Sequence, residues 1–183
     1  MMQTKLVSSK TSAIVLTAMM MGIIMVAILL LRIPVPFTQG YVNISDGVIF
    51  ISVFLLGKRD GAIAAALGSM MGDIIGGFAM WAPWTFFIKG IMALIVAFVV
   101  MAFAKKKLNK KAKVAVRILA MVLGGLFMVF GYFVAEGVMY GNWAVAALGI
   151  PWNVGQFVVG IILALTILMA LGKAGIKGKE GRL

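Results

Sequence analysis

The chain contains no cysteine and no histidine, and only five acidic residues stand against seventeen lysines and arginines. Without these side chains, thiol catalysis, disulfides, Cys/His metal sites and histidine-based triads are excluded. A Walker A motif is missing too, because the Gly-Lys-Ala-Gly of residues 172–175 lacks its spacing and its Ser or Thr. We therefore expect no bound cofactor, and any ATP that drives this protein must be hydrolysed by other chains.

Apolar residues make up 63% of the 183 residues, and the mean hydropathy is +1.13. This composition excludes a soluble domain. At about 20 residues per membrane span, roughly five to seven helices would use up the chain. Residues 1–183 are therefore expected to form a single transmembrane domain.

The positive charge is concentrated at one side of the expected membrane domain. Fifteen of the seventeen lysines and arginines lie at the N-terminus, at Lys58 and Arg59, within residues 105–117, and in the C-terminal tail. This is the positive-inside pattern of a membrane protein, so the net charge of +12 does not indicate nucleic-acid binding.

The charge clusters and apolar stretches together predict an all-α integral membrane protein with six transmembrane helices and both termini in the cytoplasm. The helices are predicted at residues 11–31, 42–57, 61–79, 83–104, 114–140 and 151–171. Pro83 and Pro151 would each stand at a helix start, where proline is tolerated. The first span is expected to be retained, since no small-residue cleavage signature follows it.

Four polar residues, Asp73, Lys89, Glu136 and Gln156, interrupt apolar stretches. At about 1.5 Å per helical residue, they lie roughly 18 to 28 Å from the basic ends of their helices. In a hydrocarbon layer about 30 Å thick, all four are then in the outer half. Ionisable groups at such depth are costly and usually mark a functional site. The alternative is a structural ion pair, Asp73–Lys89 or Lys89–Glu136.

Aromatic residues strengthen the prediction of a pocket near the outer face. All four tryptophans and all three tyrosines lie at the outer end of the predicted bundle. An interfacial belt would occupy both ends, so several rings are expected to stack on a planar ligand. Trp81 and Trp143 are the two that we expect to be belt residues. The predicted ligand-binding residues are Asp73, Lys89, Glu136, Gln156, Asn153, Trp84, Tyr132, Tyr140, Tyr41 and Asn43.

Residues 32–43 form the connection between the first two helices and are apolar but rich in proline and glycine. They cannot be helical throughout. Irregular backbone at membrane depth is tolerated where it is buried in protein or faces water. The loop is therefore expected to dip inward as a lid, with an ordinary interfacial loop as the alternative.

Small residues recur at every fourth position on two helices. Gly68, Gly72 and Gly76 are expected to pack within the bundle. Ala18 and Gly22, among methionines on the first helix, fit equally well with internal packing and with an adaptable surface for a partner.

Residues 33–47, 68–77 and 82–90 resemble the substrate-binding S component of energy-coupling factor (ECF) vitamin transporters, and the last two helices match in character. The resemblance implies a high-affinity binding subunit of the bacterial plasma membrane, not an enzyme. It implies a ligand beneath the first loop, an Ala-xxx-Ala motif (here Ala18 and Gly22) that meets a transmembrane coupling subunit, and two cytoplasmic ATPase subunits. The Pro-Phe-Thr and Ile-Lys-Gly stretches are closest to the pyridoxine or hydroxymethylpyrimidine type.

Two other function classes compete with this hypothesis. A self-sufficient secondary transporter or channel for a small polar solute would need a polar path through the inner half, where no charge interrupts the helices. An intramembrane aspartyl protease would need a dyad such as Asp46 and Asp73, but the flanking pattern is missing.

Overall fold

The computed structural model describes residues 9–36 and 38–176. Phe37, the first eight residues and most of the basic C-terminal tail lie outside these ranges. The described chain forms six α-helices and one two-stranded antiparallel ribbon. In chain order these are α1 (Lys10–Leu30), β1 (Ile33–Pro34), β2 (Tyr41–Val42), α2 (Ser45–Leu56), α3 (Lys58–Ile75), α4 (Ala82–Phe103), α5 (Lys110–Tyr140) and α6 (Trp143–Lys173).

Four of the helices within the described ranges, α1, α4, α5 and α6, are long and apolar enough to cross a membrane. Helix α2 is apolar but has only 12 residues, and α3 carries four charged residues over its 18. The all-helical membrane architecture predicted from the sequence is therefore confirmed. Six crossings and the side of each terminus stay predictions.

Local signals explain where the long helices begin and end. Asn109 caps α5 by accepting from the Ala112 amide at 2.9 Å, and Asn142 caps α6 by accepting from the Ala144 amide at 3.0 Å. Gly141, at φ 63°, supplies the left-handed residue between these two helices. Both helices therefore start earlier than the sequence analysis predicted.

The prediction that Pro151 begins a helix is wrong, because Pro151 lies inside α6. The Asn142 cap starts the helix at Trp143, and the fixed φ of proline is compatible with helical backbone. The missing amide removes one backbone hydrogen bond without ending the helix.

Helix α2 is the centre of the bundle. Nearly every one of its residues is buried, and it packs against α1, α3, α4 and α6. Glycines allow this approach: a Cβ at Gly47 would lie 2.7 Å from Leu163, and one at Gly160 would lie 2.8 Å from the Asp46 Cβ. The first turn of α2, with Asp46, is thereby pressed against α6.

Helix α3 packs between α1 and α4 through its glycines. A Cβ at Gly68 would lie 2.8 Å from the Met21 carbonyl oxygen, and one at Gly72 would lie 2.9 Å from Ile28. The expectation that this glycine series packs within the bundle is confirmed for Gly68 and Gly72. The contact brings α3, which carries Asp73, close to the end of α1.

Candidate functional site

A small polar cavity lies where the α1–α2 loop (residues 31–44) meets one end of the bundle. Every helix except α2 contributes a wall residue, and the α3–α4 turn contributes Trp81. The lining residues are Ile28, Val35, Gly40, Tyr41, Asn43, Asp73, Trp81, Thr85, Lys89, Tyr132, Glu136, Asn153 and Gln156. The residues that interrupt the apolar stretches are thus brought together, as the sequence predicted.

The floor of the cavity is an ion pair between Lys89 and Asp46. Both side chains are essentially inaccessible, at 2% and 0% exposure. The Lys89 ammonium also contacts the Met128 sulfur at 3.0 Å and lies 5.4 Å from the centre of the Tyr132 ring. Neither ion pair considered from the sequence, Asp73–Lys89 or Lys89–Glu136, is formed.

Gln156 joins this floor to the loop above it. Its side-chain amide donates to the second Asp46 carboxylate oxygen at 2.9 Å, and its carbonyl oxygen accepts from the Asn43 backbone amide at 2.8 Å. The Asn43 side chain in turn accepts from the Ser45 amide at the start of α2. A polar chain therefore runs from α4 through α2 and α6 to the loop.

The loop is held against the bundle by two further contacts. The Tyr41 hydroxyl donates to an Asp73 carboxylate oxygen. Burial, and then the nearby Asp73 carboxylate, raises the pKa of Tyr41 well above its usual value. The hydroxyl consequently stays a donor at physiological pH. At the other side, the Gln39 amide donates to the Tyr140 hydroxyl at 3.1 Å.

Arg32 anchors the start of the loop. Its guanidinium donates to the backbone carbonyls of Ile28 and Gly76, the second at 2.7 Å. It also lies 5.8 Å from the ring centres of Tyr41 and Phe78. The described residues of the loop therefore lie over the cavity, and β1 and β2 pair at their base.

Aromatic rings form one wall of the cavity. Trp81 is only 4% exposed, and its ring centre lies 6.2 Å from those of Tyr132 and Tyr140. The Tyr132 hydroxyl lies 3.2 Å from the Thr85 hydroxyl, which fixes the ring over α4. This wall offers flat apolar surface beside polar groups, as suits a planar heteroaromatic ligand.

Three buried polar atoms at the cavity have no partner within the described residues: Asp73 Oδ2, Glu136 Oε2 and the Trp81 indole nitrogen. Their residues are 3%, 4% and 4% exposed. A buried polar atom without a hydrogen bond costs about 1–3 kcal/mol. Such atoms around one cavity indicate a place where another molecule supplies the missing hydrogen bonds.

The cavity is small. It leaves about 30 Å³ of space for water-sized molecules, which is enough for roughly two waters. A ring compound needs the loop or a wall side chain to move before it enters.

Eight of the ten predicted ligand-binding residues line the cavity, and two do not. Trp84 packs against the apolar core instead. It precedes Thr85, which faces the cavity, and adjacent helical residues point about 100° apart. Tyr140 stands at the rim, where it binds the loop and Trp81.

Two residues, Trp81 in the cavity wall and Asp46 in its floor, have roles that the sequence did not predict. Trp81 was expected to be an interfacial belt residue, but it is buried in the cavity wall. Trp81 lies on an irregular turn, so no helical spacing relates it to the other residues of the site. No sequence pattern therefore indicated its position in the cavity wall. Asp46 was considered only as half of an aspartyl dyad. Its pairing with Lys89 follows from packing between α2 and α4 that no local pattern reveals. Trp143, the other expected belt residue, is half exposed and lies against Phe133.

Ala18 and Gly22 lie on the side of α1 that faces away from the bundle. Ala18 is exposed, and a Cβ at Gly22 would meet no atom within 4 Å. Met20, Ile24 and Ile28 form the inward face instead. Internal packing of the Ala18–Gly22 pair is thereby excluded in this structure, while the surface alternative stays open.

A family model and two relatives match most of the chain. The model of the family described as "ECF-type riboflavin transporter, S component" matches residues 8–173. The thiamine precursor transporter HmpT of Lactococcus lactis subsp. cremoris (strain MG1363) is 30% identical over 148 residues, or 80% of each chain. An "uncharacterized protein in gap 3'region" of Pyrococcus woesei is 38% identical over 116 residues, 63% of this chain and 72% of the relative.

The fold has a counterpart among solved structures. A chain described as the S component of a bacterial ECF transporter superposes with a TM-score of 0.69, covering 91% of this chain and 98% of the other. The two are 18% identical, so the match concerns the fold alone.

Proposed function

Because this chain belongs to the S-component family of ECF-type transporters, we propose that its cavity binds hydroxymethylpyrimidine or a closely similar vitamin precursor for ATP-driven uptake. The family consists of transporter subunits of the cell membrane, not of enzymes. Pyridoxine, also a single substituted heteroaromatic ring, is the next candidate. The proposed binding residues are the eight predicted ones that line the cavity, together with Trp81 and Thr85.

The observation that carries this proposal is the set of unpartnered buried polar atoms beside an aromatic wall. Asp73 and Glu136 can accept hydrogen bonds from ring substituents, while Trp81 and Tyr132 can cover the ring faces. A protein built only for stability would gain nothing from leaving these groups unsatisfied.

The size of the cavity and one relative favour a single-ring ligand. HmpT, whose name assigns it a thiamine precursor, matches four fifths of this chain. The family description names riboflavin, a compound of three fused rings with a polyol chain. A cavity with about 30 Å³ of open space would have to expand much further for riboflavin than for a pyrimidine.

We also propose that all six helices cross the membrane, with both termini in the cytoplasm. Helix α2 is about 18 Å long at 1.5 Å per residue, and the covering loop fills the remaining depth on the cavity side. The lysine-rich segment between α4 and α5 lies at the other side, as the positive-inside rule requires.

Energy would come from partner chains, namely a transmembrane coupling subunit and two cytoplasmic ATPases. The outward face of α1 around Ala18 and Gly22 is the proposed contact with the coupling subunit. Small residues there would permit close helix–helix approach.

The test is calorimetric titration of the detergent-solubilised protein with hydroxymethylpyrimidine, pyridoxine and riboflavin. Saturable one-to-one binding of hydroxymethylpyrimidine, tighter than that of the other two, is the expected result. Tighter binding of riboflavin would refute the proposed ligand class. In liposomes, the chain alone should not concentrate the ligand, and uptake driven by a proton or sodium gradient would refute its dependence on ATPase partners.

A further inference from the structure

The positive charge at the cavity floor is already neutralised. Lys89 pairs with one Asp46 oxygen, and the other Asp46 oxygen accepts from Gln156. The remaining Gln156 oxygen accepts from the Asn43 amide. Asp46 therefore uses both oxygens to hold Lys89 and Gln156 in place, beneath the space where a ligand would sit.

Of the three buried lining atoms without a partner among the described residues, two are acceptors. Asp73 and Glu136 each have a buried carboxyl oxygen without a donor, whereas the Trp81 indole is the one unpartnered buried donor among the described lining residues. Counting Asp46, the cavity and its floor hold three carboxyl groups and one ammonium group.

Arg32 does not change this balance. Its guanidinium is bound to the Ile28 and Gly76 carbonyls and lies beside Tyr41 and Phe78, and Arg32 is not a lining residue. An anionic ligand would therefore meet carboxyl oxygens instead of free cations, and a lysine whose charge is already paired.

We infer that Asp46 determines the charge selectivity of the cavity. By neutralising Lys89, it makes the site select ligands that bring hydrogen-bond donors or a positive charge, and reject phosphorylated forms of the same ring. This inference deepens the proposed function and rests on it for the identity of the ring. It makes Asp46 a residue that acts through Lys89 and need not touch the ligand.

The decisive variant is Asp46→Asn, which keeps the shape of the side chain and the acceptor for Gln156 while releasing the Lys89 charge. Titration with hydroxymethylpyrimidine and its monophosphate should show that the wild type prefers the unphosphorylated compound. In Asp46→Asn, affinity for the monophosphate should rise by at least about tenfold. The gain should disappear in the double variant Asp46→Asn/Lys89→Met. Asp60→Asn, an acid-to-amide change outside the cavity, should leave both affinities unchanged.

Inorganic phosphate provides a probe that is independent of the vitamin. Phosphate should raise the melting temperature of Asp46→Asn, but not that of the wild type or the double variant. A folded Asp46→Asn that gains affinity for neither phosphate nor the monophosphate would overturn the inference. If this variant does not fold, the affinities of the wild type test the inference. Wild-type protein that binds the monophosphate as tightly as hydroxymethylpyrimidine would overturn the inference, and wild-type protein that rejects the monophosphate would support it. Wild-type protein that binds neither ring compound would refute the proposed ligand, while the phosphate result on Asp46→Asn still tests the role of Asp46.

Discussion

At the scale of single residues, the charged groups of the cavity differ in what holds them. Lys89 is held by Asp46 and Met128, and one Asp73 oxygen accepts from Tyr41. Glu136 lies between two glycines, with its Oε1 3.4 Å from a Cβ built at Gly40 and its Oε2 2.6 Å from one built at Gly149. The Glu136 carboxyl is thus positioned by shape, and its buried Oε2 has no hydrogen-bond partner among the described residues.

Glu136→Gln is therefore expected to weaken ligand binding without destabilising the protein. The loss of a buried polar contact should lower affinity by about tenfold to a hundredfold, while the melting temperature without ligand should hardly change. Lys89→Met, in contrast, leaves the Asp46 charge buried and unpaired, which should lower stability by about 3–5 kcal/mol. Calorimetric titration and thermal unfolding of both variants check this. Normal ligand affinity in folded Glu136→Gln would show that Glu136 does not bind the ligand.

At the scale of helices, two glycines of α6, Gly149 and Gly155, have different surroundings. A Cβ at Gly149 would collide with Glu136 Oε2, while one at Gly155 would meet no atom within 4 Å. Gly149→Ala should therefore displace the Glu136 carboxyl and lower ligand affinity by about tenfold. Gly155→Ala should leave affinity unchanged, and both variants should gain slightly in helix propensity. Equal affinities in the two variants would contradict the position of Glu136.

The outward face of α1 supports a second prediction at this scale. Gly22→Leu adds a side chain where the protein itself has no atom to meet it. Ligand affinity and melting temperature should stay as in the wild type, while co-purification with the coupling subunit should fall several-fold. Gly68→Leu is the contrasting variant, because it would force α1 away from α3 and lower the melting temperature. Loss of ligand binding in Gly22→Leu with normal co-purification would show that the face has been misassigned.

The helices also show which features the sequence could predict and why others escaped it. Charge clusters and apolar runs located all six helices because both are local features of the sequence, although they placed the starts of α5 and α6 too late. The heights of four residues along their helices could also be counted from the basic helix ends. This is why the sequence predicted one shared site for Asp73, Lys89, Glu136 and Gln156. The direction in which a helical side chain points was harder to predict. Trp84 shows this, because a step of one residue along a helix turns the side chain by about 100°. The role of Asp46 could not be recognised, because it depends on pairing with Lys89, 43 residues further along, and on close packing against Gly160.

At the scale of the whole molecule, the absence of cysteine makes the proposed topology directly testable. Single cysteines can be placed at Gln39 in the loop over the cavity and at Lys107 in the lysine-rich segment, both of which are exposed. In intact cells, a membrane-impermeant maleimide should label Gln39→Cys and should reach Lys107→Cys only after permeabilisation. The cysteine-free parent is the control. The opposite labelling pattern would invert the orientation.

The ion pair at the cavity floor also has a consequence for biosynthesis. Asp46 and Lys89 are 43 residues apart, so Asp46 reaches the membrane before its partner does. A lone charge within the hydrocarbon layer is costly, up to about 2.5–3.5 kcal/mol at mid-membrane on insertion scales. The stretch from α2 to α4 is therefore expected to integrate as one unit. Glycosylation mapping of chains truncated before α4 should show inefficient integration of α2, and Asp46→Leu should restore it. Asp46 holds Lys89 and Gln156 in the folded protein, but it disfavours membrane integration of the nascent chain until α4 follows.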